Sequence, residues 1–150
     1  MKKYFYKKLW LFTMVKMYRC TIGEKISLLK KKRDELIKNI KSGEETFIGD
    51  DKLVYQTEAI LATMARLFSS ICAMLTINQT GRIPRHGFEC LEMLVKSGYI
   101  STRHGNDLSK LLRFLNFYYD FASMKGEDVY RIAKNIVSII EEFIKEIEEL

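Results

Sequence analysis

A chain of 150 residues is about one domain's worth, long enough to bury a core without covalent staples. Cys20, Cys72 and Cys90 are odd in number, far apart and without a C-x-x-C pair, which excludes a disulfide framework and a zinc site. With only His86 and His104 besides, no metal centre or cofactor site is expected, and the thiols imply a reducing, cytoplasmic compartment.

The net charge of +6 is modest but uneven. Lys and Arg crowd residues 1–41, whereas Glu141, Glu142, Glu146, Glu148 and Glu149 crowd the end. This asymmetry fits a polyanion contact at the basic end, head-to-tail attraction between chains, or simply two solvated helix faces. Pro84 is the one proline, so long helices are permitted.

In chain order, residues 1–20 read as a basic and aromatic appendage. The apolar stretch Leu9 to Val15 mimics a signal peptide, but Lys16 and Arg19 interrupt it and no small-residue cleavage site follows. It is too short to span a bilayer. It fits a surface amphipathic helix, or an over-long gene start with Met14 or Met17 the true first residue. The bundle proper is expected over 21–150. Thr21 and Glu24 form a capping box that starts a helix carrying Ile22, Ile26, Leu29, Leu36, Ile37 and Ile40, and Gly43 ends it. Lys30, Lys31, Lys32 and Arg33 interrupt its apolar pattern.

Asp50 or Asp51 caps a second, longest helix, with a broad stripe from Leu53 through Ile60, Leu61, Met64, Leu67, Phe68 and Ile71 to Leu75. A second stripe is small: Ala62, Ala65, Ser69, Cys72 and Thr76, either a close contact inside the bundle or a dimer seam. Asn78 to His86 reads as a loop, punctuated by Gly81 and Pro84. A short helix follows, with Phe88, Leu91, Leu94 and Val95 inward and Gly98 as its stop. Ser101 or Asn106 starts the next helix, bearing Leu108, Leu111, Leu112, Leu115 and the aromatics Phe117, Tyr118, Tyr119 and Phe121. Lys125-Gly126 breaks it. The last helix begins near Asp128, with Val129, Ile132, Ile136, Ile139, Ile140, Phe143, Ile147 and Leu150 on one side. The expected fold is all-α: an antiparallel bundle of four long helices plus one short one, with no membrane span.

From about residue 22 onward the chain resembles the HepT-like family of HEPN domains. The resemblance rests on "FIGDDKLVYQTEAILATMARLF", the loop block "RIPRHGFECLEMLVKSGYIS", the segment "LLRFLNFYYDF" and the closing "DVYRIAKNIVSIIEEFIKEI". It implies a cytoplasmic homodimer that cleaves RNA without a metal, as the toxin of a toxin–antitoxin module. Its implied partner is a nucleotidyltransferase antitoxin that adenylylates a tyrosine beside the active site. The alternative is an inactive bundle kept as a docking partner of that enzyme. The family motif is an Arg, four to six residues, then His, often with Tyr two places on. Here it starts at Arg113; after four intervening residues Tyr118 stands in place of His, and Asp120 in place of Tyr.

Cleavage of this kind needs a base for the 2′-hydroxyl, an acid for the leaving oxygen and positive charge on the phosphate. Histidine, titrating near ~6.5, suits the first two roles; tyrosine, near ~10, donates a proton but is a poor base at neutral pH. The candidate catalytic residues are therefore Arg113, Asn116 and Tyr118, with Arg113 clamping a phosphate. Asn116 and Asp120 extend one polar stripe from Arg113, which is alternatively the wet side of a bundle helix. Tyr119 is the candidate for modification. Arg85-His86 and Arg103-His104, each beside a helix start, are candidate RNA contacts.

Overall fold

The computed structural model describes residues 2–85, 87–106, 108–109, 112–113 and 125–149. Helix α1 spans Lys2–Ile40, α2 Glu44–Ile48, α3 Asp51–Thr80 and α4 Gly87–Lys96. Helical residues at 102–106, 108–109 and 112–113 form α5, and α6 spans Gly126–Glu148. The all-α expectation holds throughout the described residues. The expected core positions Leu111, Leu115, Phe117, Phe121 and Leu150 lie outside them.

Two helix ends differ from expectation. Helix α1 passes through Thr21 and Glu24 without a start there. A cap serves orphan backbone donors, and a continuing helix already gives each N–H a carbonyl four residues back, so the capping signature has nothing to satisfy. Helix α3 runs past Asn78 to Thr80, where the Thr80 hydroxyl donates to the Thr76 carbonyl at 2.6 Å. Gly81, at φ 69°, then closes it by donating its N–H to the Ile77 carbonyl at 2.9 Å. Other punctuation agrees. Asp50 is the α3 cap, its carboxylate accepting from Leu53 N–H at 3.2 Å. Gly43, at φ 92°, ends the turn after α1. Helix α2, with Phe47 fully buried, is an addition that one short apolar pair could not announce.

Helices α1 and α3 are antiparallel: Asn39 donates to the Thr57 hydroxyl at 3.3 Å, while Lys25 lies beside Arg66 and Ser70. Helices α3 and α6 run the same way, because Gly126 lies near Val54 and Phe68 meets Phe143 edge-on at 4.7 Å. The core is a single cluster reaching from Ile22 to Ile147. By length and composition α3 could cross a membrane, but its apolar side is buried against α1, α4 and α6, as the central helix of a bundle requires.

The small stripe on α3 is a contact inside the bundle. Ala62, Ala65, Cys72 and Thr76 are buried, and the Thr76 hydroxyl bonds the Cys72 carbonyl at 2.8 Å and reaches the Cys90 carbonyl of α4 at 3.5 Å. Two sequence-distant cysteines, Cys72 and Cys90, thus meet as free buried thiols. A hydrogen bond between them, with burial, pushes the Cys72 thiol well up.

Candidate functional site in the cleft between α4 and α5

The site begins with a turn that the sequence encodes locally. Helix α4 ends in a paired closure in which Gly98 N–H donates to the Val95 carbonyl at 3.1 Å and Tyr99 N–H to the Leu94 carbonyl at 3.0 Å. This closure needs a left-handed residue, and Gly98 supplies it at φ 77°. Three residues later Ser101, rather than Asn106, starts α5. Its hydroxyl accepts from His104 N–H at 3.3 Å and its carbonyl from Gly105 N–H at 2.9 Å.

Gly105 then sets the distance between the helices. A Cβ placed there would stand 2.6 Å from Val95 Cγ2, so a larger residue would have to displace Val95 or push α5 off α4. Above this contact opens a cleft of about 310 Å³. Leu91 and Val95 of α4 and Gly105 of α5 supply apolar surface. Glu92 and Lys96 of α4 face Thr102, Asn106, Ser109 and Arg113 of α5 across it. The α5 residues recur at steps of four, three and four, which is one helical face. The Ser109 hydroxyl is turned back to the Asn106 carbonyl at 2.7 Å. Lys96, Asn106 and Arg113 are exposed to solvent.

The opposite face of α5 carries His104, Leu108 and Leu112. Leu108 is fully buried and Leu112 nearly so. At about 100° per residue, Arg113 lies half a revolution from His104, so one faces the cleft while the other faces α6. There His104 Nδ1 lies 2.5 Å from Glu146 Oε1, and Nε2 bonds Glu142 Oε2. With a carboxylate on each ring nitrogen, both nitrogens act as donors when the ring is protonated. Burial alone would lower its pKa; the Glu146 and Glu142 hydrogen bonds and charges outweigh that and hold it above the usual histidine value. The other Glu146 oxygen is buried with no hydrogen-bond partner among the described residues.

The structure therefore separates residues that the sequence groups together. Arg113 stands on the cleft wall. Arg103 and Arg85 are exposed, Arg85 at the entry to α4, where its N–H donates to Glu89 at 2.6 Å. His104 is turned away from Arg103 onto α6. His86, Asn116, Tyr118, Tyr119 and Asp120 lie outside the described residues. Sequence reasoning missed Lys96, Glu92, Asn106 and Ser109. The spacing from Asn106 through Ser109 to Arg113 was a usable signal; nothing local tied Glu92 and Lys96 to it.

No family model and no curated protein matches the chain. Solved structures do. A tri-AMPylated HEPN toxin from Shewanella oneidensis, in complex with an MNT antitoxin, superposes with a TM-score of 0.78 at 18% identity, covering 86% of this chain and 97% of that one. This chain has the HEPN fold. A toxin–antitoxin structure described as MntA–HpeT gives 0.78 at 17% identity, covering 86% and 98%. A cytosolic protein of unknown function from Bacillus subtilis, YutE, gives 0.73 at 14% identity over 87% and 88%. Within the HEPN fold, α4, the turn through Gly98 and the start of α5 are the elements that build the cleft.

Proposed function

We propose that this protein is the HEPN member of a toxin–antitoxin module, acting on RNA in the cytoplasm through the α4/α5 cleft with an altered catalytic centre. The observation that carries this reading is the placement of Arg113. The residue at which the Arg…His motif starts stands exposed on the wall of an open cleft, on the face of α5 that turns away from the core. A guanidinium there clamps a phosphate bidentately. Asn116 supplies a neutral hydrogen bond, and Tyr118 a proton to the leaving oxygen. Tyr118 is a weak substitute for histidine as base, because a group titrating near ~10 is almost wholly protonated at neutral pH.

Two copies of the chain bring two Arg113 side chains to a shared groove, Arg85 and Arg103 extend its positive rim, and His86 is a further candidate RNA contact. The partner is a nucleotidyltransferase antitoxin, with Tyr119 its modification target. Support for that partner comes from the likeness to HEPN toxins solved with antitoxins.

The test is a cleavage and binding assay on the purified chain without added metal, beside Arg113→Ala and Tyr118→His. Wild-type cleavage that disappears in Arg113→Ala establishes the nuclease. RNA binding without cleavage, with cleavage gained in Tyr118→His, marks the second reading, a bundle kept for binding. A wild type that neither binds nor cleaves RNA, or an Arg113→Ala that matches it, overturns the nuclease, and failure to co-purify with a nucleotidyltransferase overturns the docking alternative.

A further inference from the structure

The cleft holds more than a phosphate clamp requires. A groove built for an RNA backbone alone needs cations, and Lys96 and Arg113 supply them. Glu92 lines the same cleft. A carboxylate lining the same cleft as two cations weakens a site that meets nothing but phosphate, and it contributes favourably to a ligand that brings N–H donors. Asn106, on the α5 side, adds an amide that both donates and accepts.

The cleft's shape points to the same kind of ligand. Its volume of about 310 Å³ is at the small end of ligand sites, room for one nucleotide unit and not for a duplex. Its apolar surface comes from Leu91, Val95 and the bare Gly105, a place for a flat ring to lie. Single-stranded RNA is read in this way, by splaying one base out and bonding its Watson–Crick edge.

Among the four bases, guanine presents adjacent N1–H and N2–H donors on that edge, which a carboxylate accepts bidentately. Adenine and cytosine each offer one amino group beside an acceptor that repels a carboxylate. Uracil offers one N–H between two carbonyls. We propose that the α4/α5 cleft is a guanosine-reading subsite: Glu92 accepts from the guanine edge, Asn106 bonds its carbonyl side, and Lys96 joins Arg113 on the phosphate. This rests on the RNA reading above and gives that reading a base preference.

The test measures binding of 5′-GMP, 5′-AMP, 5′-CMP and 5′-UMP to the full chain, and of ten-residue single-stranded RNAs with and without one guanosine. A bidentate pair discriminates by about tenfold or more, so 5′-GMP and the guanosine-bearing RNA bind about tenfold tighter than their counterparts. Glu92→Gln brings guanosine down to the adenosine level, and Lys96→Ala weakens all four nucleotides alike. Equal binding of the four nucleotides, with RNA binding still dependent on Arg113, overturns the guanosine subsite and leaves the RNA reading standing. No binding of any nucleotide or RNA overturns both. 5′-GMP bound as tightly as the guanosine-bearing RNA marks a free-nucleotide site and overturns the RNA assignment.

Discussion

The two faces of α5 do opposite things with the same helix. The inward face spends its residues on closure: Leu108 and Leu112 fill the core, and His104 is held between Glu142 and Glu146 of α6. The cleft face leaves Asn106 and Arg113 in solvent and keeps the helices close through a glycine instead of a side chain. The difference teaches where to look for function. Charged groups satisfied by other elements hold the bundle together, whereas charged groups presented to an open cleft are the ones a ligand can reach.

The sharpest separation comes from one substitution on each face. Leu108→Ala opens a cavity in a fully buried position and is expected to cost about 2–5 kcal/mol, read as a fall in the denaturation midpoint. Arg113→Ala, at an exposed position, changes stability by less than about 0.5 kcal/mol and abolishes RNA binding or cleavage instead. An Arg113→Ala that unfolds the protein would remove the distinction between the faces.

Gly105→Ala probes the contact between α5 and α4. The added Cβ meets Val95 Cγ2 at 2.6 Å, and overpacking of this kind costs about 1–3 kcal/mol. Val95→Ala in the same chain relieves the clash, so the double variant recovers part of the loss. A thermal melt of both variants checks this, and the absence of rescue would place the strain elsewhere.

His104 makes the inward face pH-sensitive. Its folded-state pKa is raised, so its contribution is complete below the ordinary value of about 6.5 and is lost as pH rises through the raised value. His104→Ala therefore lowers the melting temperature more at pH 6 than at pH 9. Equal losses at both pH values would show that packing, not the proton, matters there. The smallest effect is expected at Lys30, whose ammonium lies 2.6 Å from Glu148 with both side chains about half exposed (41% and 50%). Breaking this pair costs under about 1 kcal/mol and less still in high salt, checked by denaturation at two ionic strengths.

That last pair also answers the charge asymmetry of the sequence. The basic first helix and the acidic end of the last one lie side by side in a single chain, so part of the opposition is settled internally. The acidic end divides in the same way, with Glu142 and Glu146 taken by His104. Nothing in the linear order could show this, because residues 30, 104, 142, 146 and 148 meet only once three helices, α1, α5 and α6, have packed.

Local chemistry was legible. Helical periodicity marked the buried stripes of α3 and α6, and turn residues marked helix ends: Gly43 after α1, Asp50 before α3 and Gly98 after α4 each act through their own backbone neighbourhood. The same logic failed at Thr21, where a valid cap signature lost to the continuing helix. For the site, the sequence reading supplied Arg113, while the spacing from Asn106 through Ser109 that leads to it was present but unread. The tertiary structure supplied the facing wall with Glu92 and Lys96, the close approach at Gly105 and the removal of His104 to α6. Periodicity fixes which side of a helix is buried through interactions a few residues apart. Which helix covers that side, and so which groups stand across a cleft, depends on contacts between segments tens of residues apart.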